Sequence, residues 1–356
     1  LAQQLQFMVL PQGGKFEETM KKIGIIANPV SARDIRRVIS HAGNLPINDR
    51  ANIVLRMLAA LGATGVEDVL MMPENSGIRF HLMRSIERER KMGHHGFPRV
   101  SYIDMPVTMT AADSARAATI MAEQDVAAII VLGGDGTHRV VLQACADIPI
   151  AGVSTGTNNA FPDLREPTIT GLAVGLAATG KVPAEQAYQA NKWLEISVNS
   201  DQHIALVDMA VVDDRFVGAR AIWKTQSFRD LFVTFGLPGA IGMSSIVGLT
   251  DPVDRYEPEG RHIVLSPDAD RLLNAPIAPG LMEKVGIQSI TTMTPDSVHA
   301  PSIPAGTLAF DGEREVTFDQ DDDISVRLVA NAFRTINVPA CMRFAAQAGL
   351  FIQTRN

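Results

Sequence analysis

Short aliphatic runs alternate with amphipathic stretches through the first half of the chain. Residues 22–27 read Lys-Ile-Gly-Ile-Ile-Ala, an apolar run of strand length. It stops at Asn28-Pro29, because proline ends pairing and holds the residue before it away from helix. Ser31 and Asp34 are candidate caps for a helix over 35–39. The spacing predicts a helix over 49–61, a strand at 66–72, a charged helix over 85–91, a strand at 99–104 and a helix from 110 to 123. Residues 126–131, Val-Ala-Ala-Ile-Ile-Val, predict a buried strand, 138–145 a helix, and 148–153 another strand. Strand and helix in alternation predict a parallel α/β sheet, whose ligands bind at the carboxyl ends of the strands. Asn28, Asp135 and the polar segment 154–159 would then share one rim.

Near residue 166 the texture changes. A helix near 170–180 precedes alternating or β-branched runs at 193–198, 204–212, 216–222, 262–265, 286–293, 308–310, 315–318 and 324–329. Many short strands separated by turn residues predict an antiparallel β-sandwich. The expected division is an arm at 1–20, an α/β nucleotide-binding domain at 21–165, a β-rich acceptor domain at 166–330, and a C-terminal segment at 331–356 that returns to the first domain. The boundary falls within 160–190.

Composition narrows the class. At 356 residues with 46% hydrophobic and 20% charged positions, the chain has ordinary globular proportions. A net charge of −7 argues against a general nucleic-acid or anionic-membrane binder. Its two cysteines, Cys145 and Cys341, are read as packed thiols, and no Cys/His cluster has zinc spacing. The first residues lack the plan of a secretion signal, so a cytoplasmic protein is expected. The uncharged stretch 231–250 has the length of a membrane span. Gly236, Pro238, Gly239, Gly242, Ser244, Ser245 and Gly248 break it, and it reads as a glycine-rich loop or hinge, with no stable membrane insertion.

The chemistry concentrates in a few places. After the 126–131 strand comes Gly133-Gly134-Asp135-Gly136-Thr137, three glycines around one carboxylate at the head of a helix. Without Cβ atoms the chain can turn sharply there and bring amides against a phosphate, at the positive end of the helix dipole. Asp135 could orient Mg²⁺ or accept a proton from a hydroxyl. This is not a Walker loop, since no Gly-Lys-Ser/Thr follows. Thr155-Gly156-Thr157-Asn158-Asn159 offers hydroxyls and amides suited to a ribose or adenine edge, or equally an N-cap cluster. Asp311-Gly312-Glu313 reads by itself as a hairpin turn. Asp319 and Asp321 to Asp323 read as a solvated loop, and His94-His95 as an exposed one. Arg33, Arg36 and Arg37 could hold phosphate or line a solvated helix face; Trp193, Trp223 and the methionines are read as core.

Asn28-Pro29-x-Ser31, the glycine turn at 133–137, Gly156-Thr157-x-Asn159 and Asp311-Gly312-Glu313 occur in the order found in the NAD kinase and diacylglycerol/sphingosine kinase superfamily, which the chain resembles over most of 21–330. Within it, the stretches 26–37, 154–162 and 216–221 are most similar to the ATP-NAD kinase-like branch called acetoin-catabolism X protein. The resemblance implies a two-domain kinase fold with its site in the cleft between an α/β domain and a β-sandwich. It carries over Asn28, Pro29, Ser31, Gly133, Gly134, Gly136, Thr137, Thr155, Gly156, Thr157, Asn158, Asn159 and Glu313 as nucleotide-binding positions. Asp135 and Asp311 become the candidate catalytic acids. Two departures concern the acceptor: the Asn-Glu pair that holds NAD in NAD kinases occurs nowhere in this chain, and Ala32 stands where lipid kinases usually have glycine.

The expected activity is therefore ATP- and Mg²⁺-dependent transfer of the γ-phosphate to a hydroxyl, with NAD or another alcohol as small-molecule acceptor. Asp135 or Asp311 would take the proton, and the 236–248 stretch would shape an acceptor cleft or act as a hinge. A lipid or small-alcohol kinase is one alternative, and a nucleotide-binding regulator without catalysis another. A homo-oligomer is implied by the resemblance.

Overall fold

The aliphatic runs of the first half become parallel strands, and the stripes between them become covering helices. The computed structural model describes residues 22–29, 45–94, 96–145, 147–155, 159–214 and 225–352. Strands β1 (Lys22–Ala27), β2 (Asp68–Met71), β3 (Arg99–Tyr102), β4 (Ala128–Gly133) and β5 (Ile150–Ser154) are separated by helices α1 (Ile47–Ala63), α2 (Ile78–Lys91), α3 (Ala111–Glu123) and α4 (Asp135–Cys145). The strands lie in the order β3-β2-β1-β4-β5, all parallel. The chain reverses its direction across the sheet between β1 and β4, which makes their carboxyl ends the switch-point crevice where such sheets bind ligands. Ala27 lies opposite Leu132, and Gly133 opposite Ser154, so Asn28, Gly134 and Thr155 leave the sheet at one level.

After α5 (Pro167–Ala178) and the short α6 (Ala184–Ala187), the chain is mostly β. It forms β6 (Tyr188–Val198), β7 (Asp201–Ala205), β8 (Asp208–Val212), β9 (Phe228–Val233), α7 (Ser244–Gly248), β10 (Gly260–Leu265), β11 (Arg271–Ala278) and β12 (Leu281–Met293). Then come β13 (Val298–His299), β14 (Gly306–Phe310), β15 (Glu313–Phe318), β16 (Ile324–Ile336) and α8 (Val338–Gln347). A second sheet, β11-β12-β10-β9-β8-β14-β15, is antiparallel throughout. The first sheet also continues, because β16 pairs parallel with β5 at Thr335 opposite Ile150 and antiparallel with β6. Leu194, Ile196 and Val326 from this extension meet Met209, Phe232 and Phe310 from the second sheet in a shared core. The fold is thus a parallel α/β sheet followed by an antiparallel one, and one layer of the sandwich grows directly out of the parallel sheet.

Several elements differ from the sequence reading. The single run expected at 204–212 is two strands in different sheets, and the chain crosses between them at Leu206-Val207. α4 starts three residues earlier than expected, at Asp135 itself. Beyond the expected 165/166 division, α5 packs on α1: a Cβ on Gly171 would lie 2.8 Å from the Met57 carbonyl, and one on Gly175 1.9 Å from Thr64 Oγ1. At the far end, Cys341 and Ala345 of α8 enter the same core as Val54 and Leu61. Both cysteines are buried free thiols. No helix among the described residues is long and apolar enough to cross a membrane. The expected helix at 35–39 and strand at 216–222 lie outside the described residues, as does the arm at 1–20.

The stretch 231–250 needs correction. Its first residues finish β9 and residues 244–248 form the buried α7, and Gly236 and Gly248 serve close packing there rather than hinge motion. A Cβ on Gly248 would lie 2.1 Å from the Leu237 carbonyl oxygen, a backbone atom that no rotamer change can move. Gly248→Ala should therefore cost roughly 1–3 kcal/mol of stability by overpacking. Urea unfolding measures it, and a variant as stable as the parent would restore the hinge.

Candidate functional site

The glycine turn is built for close approach, not for unusual backbone angles. Gly133, Gly134 and Gly136 are absent from the glycines with positive φ. A Cβ on Gly133 would sit 2.6 Å from Thr137 Cβ, and one on Gly134 2.7 Å from Asn159 Oδ1. Gly136 faces Glu313, whose Oε1 would lie 3.9 Å from a Cβ there. Thr137 and His138 donate their amides to the Gly134 carbonyl (3.1 and 3.2 Å), closing the first turn of α4 on the rim. The helix head, with its positive dipole end, faces the level where β1, β4 and β5 stop.

Asp135 organises the neighbouring segment. Its carboxylate accepts the amides of Ala160 (3.0 Å) and Phe161 (2.8 Å), pinning the chain that returns from the β5 tip. Asn159 donates to Ser154 Oγ at 2.9 Å, and the Thr155 amide reaches the Gly133 carbonyl at 3.4 Å. Among the described residues the buried Thr155 hydroxyl has no hydrogen-bond partner. Asn28 is buried and donates from Nδ2 to the Thr110 carbonyl (3.0 Å) and Ser114 Oγ (2.9 Å), tying the β1 tip to the start of α3. Its own carbonyl accepts from Arg50. Asn28, Pro29, Gly133, Gly134, Asp135, Gly136, Thr137, Thr155 and Asn159 thus gather on adjoining strand ends, and Glu313 joins them at Gly136. Ser31, Gly156, Thr157 and Asn158 lie outside the described residues, as do Arg33, Arg36, Arg37, His95 and Trp223.

Asp311 has a different setting. With Gly312 it forms the two-residue turn joining β14 to β15, Phe310 opposite Glu313, and both φ angles are positive (48° and 84°). That is the hairpin geometry an Asp-Gly pair favours. The side chain points inward and accepts the amides of Leu206 (3.0 Å), Val207 (2.8 Å) and Asp208 (3.4 Å), where the chain crosses between sheets. Arg139 Nε stands 3.3 Å from Oδ2, the two side chains being 7% and 0% exposed. Burial pushes the Asp311 carboxyl above its ordinary range, while Arg139 and the three amides pull it back. Protein donors surround both oxygens. In this structure the Asp311 carboxylate faces the crossing between the two sheets.

Sequence reasoning passed over Arg139 and His138. Arg139 lies one helical turn after Asp135 in an otherwise apolar stretch, and that spacing was the available clue. His138 is fully buried and its Nδ1 lies 2.8 Å from the Gly134 carbonyl. A carbonyl only accepts, so Nδ1 carries the proton and Nε2 faces the backbone of Gly152. Burial lowers the His138 pKa to about 4. Elsewhere the bland readings hold. His94 pairs with Glu89 on the surface, Asp322 and Asp323 bond Asn199 in an exposed loop, and Trp193 stacks on Phe333.

A glycine loop at a switch point, with a sandwich hairpin over it, marks a kinase-type α/β fold. Residues 23–182 match the family model for the ATP-NAD kinase N-terminal domain, and residues 192–331 that for the acetoin catabolism protein X C-terminal domain. The acetoin catabolism protein X of Cupriavidus necator is 51% identical over 332 residues, covering 91% of this chain and 92% of that protein. The chain belongs to the acetoin catabolism protein X family. Among solved structures, a yeast NADH kinase complexed with NADH covers 98% of this chain and 94% of its own, at 13% identity and a TM-score of 0.46. A diacylglycerol kinase from Bacillus anthracis covers 91% and 98%, at 13% identity and 0.43. At those values neither likeness bears on ligand or reaction.

Two measurements follow from the geometry. Arg139→Met leaves the buried Asp311 without its cation and should cost about 3 kcal/mol or more. Asp311→Asn placed on top should recover part of that loss, and simple additivity in urea unfolding would refute the coupling. The second concerns pH. His138 has a folded pKa near 4 against 6.5 unfolded, so between these values the unfolded chain binds more protons. Its contribution is present above pH 6.5 and is lost as pH falls toward 4, by up to about 3 kcal/mol. His138→Gln should flatten stability against pH over that window; an unchanged profile would assign the loss to other groups.

Proposed function

We propose that the chain binds a purine nucleoside triphosphate with its phosphates at the head of α4 and transfers the terminal phosphoryl group to a hydroxyl. The observation that supports this most is the placing of Gly133 to Thr137 at the β1–β4 switch point with Glu313 against Gly136. Helix-head amides and close-approach glycines suit a polyphosphate. Asp135 is the acid that meets the acceptor. Its carboxylate is fixed at the head of α4 by the amides of Ala160 and Phe161, beside the place where the phosphates would lie. Asp311 acts through Arg139, fixing the hairpin that carries Glu313.

Among the described residues no group of three His, Cys, Asp or Glu side chains is placed to hold a metal by itself. Mg²⁺ arriving with a triphosphate needs only one or two protein carboxylates, and Glu313 is positioned to be one. Bound there, the ion would neutralise charge on the phosphate oxygens. NAD or another alcohol is the acceptor in this reading, and the protein is a cytoplasmic homo-oligomer.

One observation favours a second reading, a nucleotide-binding regulator without catalysis: both candidate acids already hold backbone amides. Labelled ATP and Mg²⁺ incubated with NAD, glycerol, diacylglycerol and acetoin separate the two. Transfer to one acceptor, lowered at least about 100-fold in Asp135→Asn, is the expected result. Saturable ATP binding without transfer to any acceptor would select the regulator, and no ATP binding at all would defeat both.

A further inference from the structure

A second strand-end crevice lies alongside β5. β16 runs parallel to β5 with Thr335 opposite Ile150, and its carboxyl end leads directly into α8, so the positive end of that ten-residue helix stands beside β5 near Gly152. A cavity of about 150 Å³ lies between them, lined by Gly152, Asp163, Arg165, Arg255, Thr335 and Asn337 among others. At ~30 Å³ per water it has room for about five waters, hence for a group of a few heavy atoms and not for a nucleotide.

Arg255 is the cation of this cavity. Its guanidinium lies 4.0 Å over the Phe161 ring, and it donates from Nε to Asn191 Oδ1 (2.9 Å) and from Nη1 to the Phe161 carbonyl (2.7 Å). All of these partners are neutral. Arg165 has Asp163 at 3.0 Å, but among the described residues no carboxylate lies within ion-pair distance of Arg255, and its Nη2 makes no hydrogen bond. The arginine is firmly held. Lys192 Nζ donates to the carbonyls of Asp254 (2.9 Å), Glu257 (2.5 Å) and Glu259 (2.6 Å), clamping the loop that presents it. At the helix head Pro339 has no N–H and Ala340 donates to Asn337 Oδ1, which leaves the Val338 amide for a ligand.

Asp163 and Asp135 act on this guanidinium only from beyond contact, and a fixed guanidinium with an unbonded Nη2 beside a helix head is complementary to a small anion. We propose that this cavity binds a small oxyanion, a carboxylate or a phosphate group, on Arg255 Nη2, with Arg165 and the first turn of α8 as supporting donors. The site stands apart from the glycine loop and does not depend on that loop taking a nucleotide. The two are joined through Phe161, whose amide goes to Asp135 and whose carbonyl goes to Arg255.

Calorimetric titration of the nucleotide-free full chain with inorganic phosphate and, separately, acetate tests the proposal. One saturable anion per chain is expected, at least about tenfold weaker in Arg255→Gln, weaker in Arg165→Gln and retained in Asp135→Asn. Tighter phosphate than acetate assigns a phosphate group, and the reverse a carboxylate. Selenate soaked into crystals should give an anomalous peak within hydrogen-bond reach of Arg255, which decides the matter should Arg255→Gln not fold. No saturable binding of either anion, equal affinity in Arg255→Gln, or a selenate peak only at the glycine loop would each overturn it.

Discussion

The pairing of Arg139 with Asp311 is the contact on which the two-sheet arrangement turns. Arg139 is placed by the glycine loop, since α4 begins at Asp135 and returns to the same face one turn later. Asp311 is placed by an Asp-Gly turn whose two positive φ angles suit the twist of β14 and β15. Each charge is buried, and taking either one alone out of water costs several kcal/mol. Together they recover about what desolvation takes, so the pair contributes register more than net stability. Any slip of the hairpin against α4 would leave two buried charges unmatched. The same carboxylate also receives the amides of Leu206, Val207 and Asp208, where the chain leaves one sheet and enters the other.

Asp135 works in the same manner on the other side of the rim. A glycine turn alone would leave the segment returning from β5 loosely held, because Gly133 and Gly134 have no side chains to anchor it. Asp135 supplies the anchor by accepting two consecutive amides. The acid nearest the proposed phosphates is therefore also the one that shapes their surroundings. Its geometry is fixed before any ligand arrives, which is how an active-site carboxylate is best prepared.

Local periodicity made much of the fold legible. Strand and helix order from 47 to 154 and the antiparallel character after 188 follow from apolar spacing. Where the reading failed, tertiary contacts had overruled local pattern. The 204–212 run is evenly apolar, so nothing within it marks the crossing; only the distant Asp311 does. Gly236 and Gly248 look like parts of a flexible stretch because sequence shows missing side chains and not the Ser244 and Leu237 carbonyls that take their place. At the site, residue types were legible and orientations were not. Asp-Gly-Glu was read as a motif, yet its first acid turns inward while Glu313 reaches the loop. Arg255, 94 residues from the Phe161 carbonyl it holds, had no local pattern to announce it.

Phe161 explains how cation and anion coexist so closely on this rim. Asp135 and Arg255 address the same residue from opposite sides, one through its amide and one through its carbonyl, with the phenyl ring beneath the guanidinium. The two charges act on each other across this residue without meeting in an ion pair. An aromatic face satisfies a guanidinium without cancelling its charge. The guanidinium beside β5 and β16 therefore keeps its charge while Asp135, at the head of α4, acts on it. One apolar side chain keeps two oppositely charged sites separate while fastening them to a common backbone.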